Sequence, residues 1–319
     1  MTSVNKTGVQ VFEKMIELKE ELGISVTTLE NGATLIDAGI NVPGGFAAGK
    51  YLTDLCLGSL GNVTLGSENY DGVELPSMYV HVDRPAVMLL GSQFAGWRIS
   101  VEKYFAMGSG PARALALKPK ELYAKIDYKD AYDKAVIVLE GDELPTSEVA
   151  NYMAEKCNVD SKNMFIAIAP TSSIAGCMQI SGRVVEMGLH RLTDLGFDPK
   201  KVLYGSGRAP VAPSHPKSTK AMGRTNDMLL YAGSTYFQVF CETDDEIVEF
   251  VKKAPSSTSS AYGRPFYEIF KEANFDFYKI DTGLFSPATI TVNNVKTGST
   301  ISAGTINTET LKKSIGLTA

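Results

Sequence analysis

Along residues 1–25 apolar side chains recur every three or four positions, with Val9, Phe12, Met15, Ile16 and Leu22 on one side and charges on the other. This spacing predicts an amphipathic helix. The stretch that follows, "ISVTTLENGATLIDAG", sets two β-prone runs on either side of Asn31-Gly32, a dipeptide that tolerates positive φ, and predicts a hairpin. In "GGFAAGKYLTDLCLG" the spacing of Phe46, Tyr51, Leu52 and Leu55 predicts a second helix. Short apolar runs in "SMYVHV", "AVMLL", "ELYAKID", "KAVIVLEG", "NMFIAIA", "DMLLYAG", "TYFQVFC" and "ATITVNN" read as strands, and helices are expected near 146–157, 178–195, 244–253 and 265–273. Tight hairpins mixed with longer crossovers fit a layered α/β protein with mixed sheets better than a purely parallel one.

A length of 319 residues suits two α/β domains side by side. A soft cut near residue 155 gives a first domain over 1–155 and a second over 156–319, with segments free to cross over. A ligand pocket would lie between them, because clefts at domain interfaces are favoured sites. Hydrophobic residues at 44% and charged residues at 21% describe a packed chain rather than a disordered one. The net charge of −5 and the lack of any Lys/Arg run give no footprint for nucleic acid or an anionic membrane. A small-molecule substrate is the better expectation. The first 25 residues do not read as a secretory signal, and no apolar stretch approaches the roughly 18 residues of a membrane span. Cys56, Cys157, Cys177 and Cys241 stand far apart, which argues against a zinc knuckle or disulfide framework and for a reduced cytoplasm. Only His81, His190 and His215 occur, none at a ligand spacing, so no metal site is expected.

Two small-residue motifs bear on ligand binding. "GSGPAR" and "GSGRAP" match neither the dinucleotide nor the P-loop fingerprint. Read as turns, they place Arg113 and Arg208 just behind flexible backbone, either as plain structural turns or as holders of a phosphate or carboxylate. "SQFAGW" at Ser92 and "SSIAGC" at Ser172 echo each other, through chance similarity or through an old duplication into two similar domains.

The stretch "APTSSIAGCMQISGRVVEMGLHRL" leaves an apolar strand through small residues and enters a helix over 180–195, with Gly182 near its start and Gly196 as C-cap. Val184, Val185, Leu189 and Leu192 form its apolar side; Arg183, Glu186 and His190 form a polar stripe. On an open surface such an ion pair contributes only tenths of a kcal/mol. Behind a strand exit it stands where α/β proteins present their sites. A carboxylate there can take a proton from water attacking an electrophilic carbon, while the guanidinium orients it and faces a developing oxygen anion.

Those blocks, together with "LLGSQFAGW", "MGSGPARAL", "AMGRTNDMLLYAG" and "YGRPFYEIF" in the same order, resemble the methenyltetrahydromethanopterin cyclohydrolase family over the whole chain. The resemblance implies reversible hydration of the cationic methenyl bridge of a folate-like one-carbon carrier, opening it to the formyl form. Neither metal nor nucleotide is implied, and the carrier itself is substrate rather than cofactor. It further implies an archaeal or methylotrophic setting, a two-domain α/β fold with the pocket between domains, and a homotrimer. The family's catalytic Glu and Arg match Glu186 and Arg183. Glu186 would accept the water proton and return it to the departing ring nitrogen, with Arg183 orienting it. Because the carrier ends in phosphate and carboxylate groups, Arg208 and Arg113 become candidates for its tail. Gln93, Ser172, Ser173 and Asn226 become candidates for the pterin or for water. Two alternatives stand beside this reading: a cyclohydrolase for methenyl-tetrahydrofolate, disfavoured by the missing NADP fingerprint, and a non-catalytic pterin-carrier binding protein, disfavoured by retention of both Arg183 and Glu186.

Overall fold

The computed structural model describes residues 2–317. The strands are β1 (Ser25–Thr28), β2 (Thr34–Asp37), β3 (Asn62–Tyr70), β4 (Val73–Val82), β5 (Trp97–Val101), β6 (Tyr104–Ser109), β7 (Ala135–Glu140), β8 (Met164–Ala169), β9 (Val202–Pro210), β10 (Ser234–Val239), β11 (Thr289–Asn294) and β12 (Thr300–Gly304). The helices are α1 (Val4–Glu17), α2 (Lys19–Leu22), α3 (Phe46–Cys56), α4 (Ala112–Ala116), α5 (Lys120–Ile126), α6 (Ser147–Cys157), α7 (Ile174–Ser181), α8 (Val184–Asp194), α9 (Ser218–Ala232), α10 (Asp245–Lys253), α11 (Phe266–Glu272) and α12 (Thr308–Ser314). Two compact units result, one comprising Met1–Asn62 and Val87–Gln179, the other Val63–Ala86 and Ile180–Ala319. Each unit is built from two segments, so the division differs from a single cut near 155, which would fall inside α6.

The first unit holds a sheet of order β1-β2-β8-β7-β6-β5 among the described residues. Its centre is parallel, β2 with β8 and β8 with β7, and its flanks are antiparallel. The continuous apolar run of "AVIVL" follows from cover on both faces. Ile36, Val136, Val138, Ala167 and Ala169 pack with α1 and α3, through Phe12, Met15, Leu52 and Leu55. The alternate residues Leu35, Ile137, Leu139, Ile166 and Ile168 pack with Val149, Ala150 and Met153 of α6. The amphipathic N-terminal helix is realised in α1, capped by Ser3, which accepts the Lys6 N–H. The hairpin expected at Asn31-Gly32 is β1–β2, with Gly32 at φ +86°.

The second unit holds a sheet of order β12-β11-β10-β9-β4-β3. Here β10 and β11 run parallel, while β11/β12, β9/β10 and β4/β9 are antiparallel. Both sheets are therefore mixed, as the sequence pattern suggested.

Several local expectations are corrected. "AVMLL" belongs to a π-helical segment, Ala86–Gln93, "ELYAKID" to α5 and "DMLLYAG" to α9. "AVMLL" and "DMLLYAG" are apolar runs buried among neighbours, for which hydrophobicity alone does not separate strand from helix, whereas "ELYAKID" buries Leu122, Tyr123 and Ile126 at helical spacing and exposes the rest. The helix expected over 180–195 is two helices, α7 and α8, interrupted at Gly182-Arg183. Gly205–Gly207 is not a turn but the middle of β9. Gly108 and Ser109 close β6, and only Gly110, at φ +100°, turns the chain toward α4. The echo at Ser92 and Ser172 does not relate the two units, since both copies lie in the first unit and have different structures. The hairpin β3–β4 went unread: its turn is Asp71-Gly72, with φ of 53° and 85°, while β3 itself is mostly polar.

Candidate active site

In the first unit β8 ends at Ala169 and the chain turns into α7 through Pro170, Thr171, Ser172 and Ser173. Ser173 caps the helix: its hydroxyl oxygen accepts the Gly176 N–H at 3.0 Å, and its O–H donates to the Pro170 carbonyl at 2.9 Å. Beside it Thr171 donates its hydroxyl to the Glu140 carboxylate at the end of β7. Glu140 was not singled out from the sequence, although a lone carboxylate closing a buried apolar strand was a legible cue. Ser172 is half-buried, and Gln93, closing the π-helical segment, is fully buried.

At the end of α7 Ser181 donates to the Pro210 carbonyl at 2.7 Å, tying the helix to the end of β9. Arg183 follows at φ −86° and ψ 0°, its N–H on the Ile180 carbonyl at 3.0 Å and its own carbonyl accepting from Met187 at 2.8 Å. It is thus the N-cap of α8, with Glu186 in the first turn. Both are buried, at 8% and 6% exposure.

Arginine is a poor choice for that position by local rules. N-caps favour Ser, Thr, Asp or Asn, and a cation is disfavoured at the positive end of a helix. Arg183 provides no side-chain cap bond and is also withdrawn from water. A residue that breaks several local preferences at once points to function at that position. Glu186 is the opposite case, because the helix N-terminus favours a negative charge.

What fixes α8 in place is the close approach of helix and sheet. A Cβ on Gly205 would fall 3.0 Å from Val185 Cγ1, and one on Gly207 2.9 Å from Val185 Cγ2. From the helix side Gly188 lies against Phe237 and Thr235 of β10. The glycines of "YGSGRAP" thus serve the packing of α8 on the sheet. Further along α8, His190 Nδ1 and Asp194 Oδ2 are 3.5 Å apart.

The remaining expected contacts have partners of their own. Arg113 is fully buried in α4 and donates to three backbone carbonyls, from Nε to Lys118 at 2.8 Å and from Nη1 to Leu90 and Ser92 at 3.1 and 3.0 Å. Its guanidinium lies 5.3 Å from the Phe94 ring centroid. Arg113 thus clasps the backbone of its own surroundings. Arg208 follows Gly207 on β9, so strand alternation sends its side chain to the sheet face away from α8. There its Nε lies 3.3 Å from Glu68, which also accepts the Tyr79 hydroxyl at 2.6 Å. Asn226 is half-buried in α9, with its amide donating to the Met222 carbonyl at 2.9 Å.

The sequence of this chain matches the family model described as "Cyclohydrolase (MCH)" over residues 3–315. The chain belongs to that family. Among its relatives, the methenyltetrahydromethanopterin cyclohydrolase of Methanococcoides burtonii is 50% identical over 317 residues, covering 99% of each chain. Proteins of the same name from Methanocaldococcus jannaschii and Methanothermobacter marburgensis are 49% and 48% identical, covering 100% and 99% of this chain and 99% and 100% of their own. Among the described residues no group of three or more His, Cys, Asp or Glu side chains is placed to hold a metal ion, and no helix is long and apolar enough to cross a membrane. The four cysteines are buried and none is joined in a disulfide.

Proposed function

We propose that this chain hydrolyses methenyltetrahydromethanopterin to the formyl form, with Glu186 as general base and Arg183 as its orienting partner. The observation that carries the reading is the buried Arg183 and Glu186 at the start of α8, in a chain that matches the cyclohydrolase family over residues 3–315.

The chemistry follows from the substrate's charge. The methenyl carbon sits between two nitrogens that share a positive charge, so it accepts a water oxygen readily once a base takes the water proton. Glu186 takes that proton as the C–O bond forms, and the C=N electron pair returns to nitrogen. The resulting carbinolamine opens when Glu186 passes the proton to the departing ring nitrogen. The C–N bond breaks toward that nitrogen and the hydroxyl becomes the formyl carbonyl. Arg183 holds the carboxylate in line and offers donors to the oxygen as it gains charge. Ser172, Ser173 and Gln93 are proposed contacts for the pterin or for ordered water, and Arg208, held by Glu68, for the anionic tail.

The direct test is optical. Hydrolysis interrupts the conjugation of the methenyl cation, so purified protein should bleach its near-ultraviolet band with methenyltetrahydromethanopterin and act far more slowly on methenyl-tetrahydrofolate. Bleaching of the folate compound alone would reassign the substrate, and binding without bleaching would make the chain a carrier-binding protein. The proposed assembly is a homotrimer, for which light scattering should read three copies.

A further inference from the structure

The proposed reaction does not conserve protons on the enzyme. A cation and a water molecule become a neutral formyl compound and one free proton. Glu186 collects two protons in each turnover, one from the attacking water and one from the carbinolamine hydroxyl, and returns a single one to the ring nitrogen. The surplus must leave a carboxylate that is only 6% exposed.

From the spacing of α8 we infer that His190 and Asp194 form the exit for this proton. Arg183, Glu186, His190 and Asp194 follow one another by three, four and four residues, which keeps them on one stripe of the helix. Side chains four apart on a helix have Cβ atoms about 5–6 Å from each other, within reach of a carboxylate and an imidazole. Exposure rises along the stripe: Glu186 is buried, the His190 side chain is 29% exposed and that of Asp194 44%. The His190 Nδ1 lies 3.5 Å from the Asp194 carboxylate. Imidazole carries one proton-handling atom on each side of its ring, so Nε2 can receive a proton while Nδ1 releases one toward Asp194. In the balanced step the proton moves from the Glu186 carboxyl to Nε2, Nδ1–H passes to Asp194 or to water beside it, and a tautomer shift restores the ring. No other bond changes.

The inference rests on Glu186 being the base, and the test separates the two. Turnover is followed by the loss of methenyl absorbance in dilute buffer near pH 7, with and without added imidazole. His190→Gln should lower kcat about ten-fold or more in dilute buffer with KM unchanged, and imidazole should restore it to a saturating limit. The wild type should not respond to imidazole. Asp194→Asn, at an exposed position that does not threaten folding, should show a smaller loss with the same rescue. Wild-type turnover of both variants in dilute buffer overturns the relay, and so does a loss that no small base restores, since that marks a packing defect. Glu186→Gln, run alongside, should stay slow throughout. If it turns over like the wild type, the base assignment falls and the relay with it. If it is slow while both relay variants are unaffected, only the relay falls.

Discussion

Val185 of α8 rests on Gly207 of β9 so closely that a single added methyl would fall 2.9 Å from Val185 Cγ2 and 2.7 Å from the Ser234 carbonyl oxygen. The residue after Val185 is Glu186, so this contact sets the height of the proposed base above the sheet.

Substitutions at the two β9 glycines should therefore differ in a defined way. Gly207→Ala meets a backbone oxygen that cannot move aside, and should cost about 1–3 kcal/mol of stability, as overpacking generally does. By displacing the start of α8 it should also lower kcat, up to about 100-fold for a shift near 1 Å. Gly205→Ala meets only side-chain atoms, of Val185, Val82 and Phe237, at 3.0 to 3.2 Å. It should be milder, and Val185→Ala in the same chain should relieve it more fully than it relieves Gly207→Ala. Melting temperatures and kcat of the four variants check this order.

Arg113 is expected to matter for folding and not for substrate. Arg113→Ala takes a fully buried guanidinium away from the carbonyls of Leu90, Ser92 and Lys118, of which Ser92 keeps the Gly110 N–H at 2.8 Å. Hydrogen bonds to charged groups contribute about 1.5–3 kcal/mol each, so the loss should reach several kcal/mol. Arg113→Lys should not recover it, because an ammonium cannot reproduce the planar fork. Denaturant unfolding should show the deficit, while the KM of whatever protein folds stays at the wild-type value.

How much of this was legible in the sequence depended on whether a residue's role was local. The hairpin at Asn31-Gly32, the helix α1 and the strands β7, β8, β10 and β11 follow from turn chemistry and periodicity within a few residues. The polar stripe of Arg183 and Glu186 was legible for the same reason. The interruption between α7 and α8 was not, because it depends on Ser181 reaching Pro210, a residue distant in the sequence. Nor could spacing reveal that Gly205 and Gly207 are flattened under Val185, since their small size serves a neighbour that only the fold supplies. Arg113 and Arg208 look alike in "GSGPAR" and "GSGRAP", yet one becomes buried in α4 and the other reaches from β9 past β4 to Glu68 of β3.

A second buried carboxylate gives the molecule a pH dependence of its own. Asp227 of α9 accepts the Phe266 N–H at 2.8 Å and the Ser314 hydroxyl, joining α9 to the start of α11 and the end of α12. Burial pushes its carboxyl up to about 7, against the opposing pull of those two hydrogen bonds. A raised carboxyl in the folded state means that the unfolded chain gives up this proton first as pH rises. The group's contribution is thus complete below the ordinary value of 3.8 and is lost as pH rises through about 7. Asp227→Asn keeps an acceptor for Phe266 and a partner for Ser314 without the charge. Its advantage over the wild type should be small near pH 4 and grow until about pH 7, as measured by denaturant unfolding at pH 4 and pH 8.

The central claim is that Glu186 moves the proton, and Glu186→Gln tests it most directly. Glutamine keeps the size of the side chain and much of its hydrogen bonding but cannot take a proton from water. General acid–base groups contribute about 10²–10⁴-fold, so kcat for bleaching of methenyltetrahydromethanopterin should fall at least that far while circular dichroism and substrate binding report an intact protein. Turnover by Glu186→Gln close to that of the wild type would contradict the account and leave Arg183 and Glu186 as an ordinary buried pair at the start of α8.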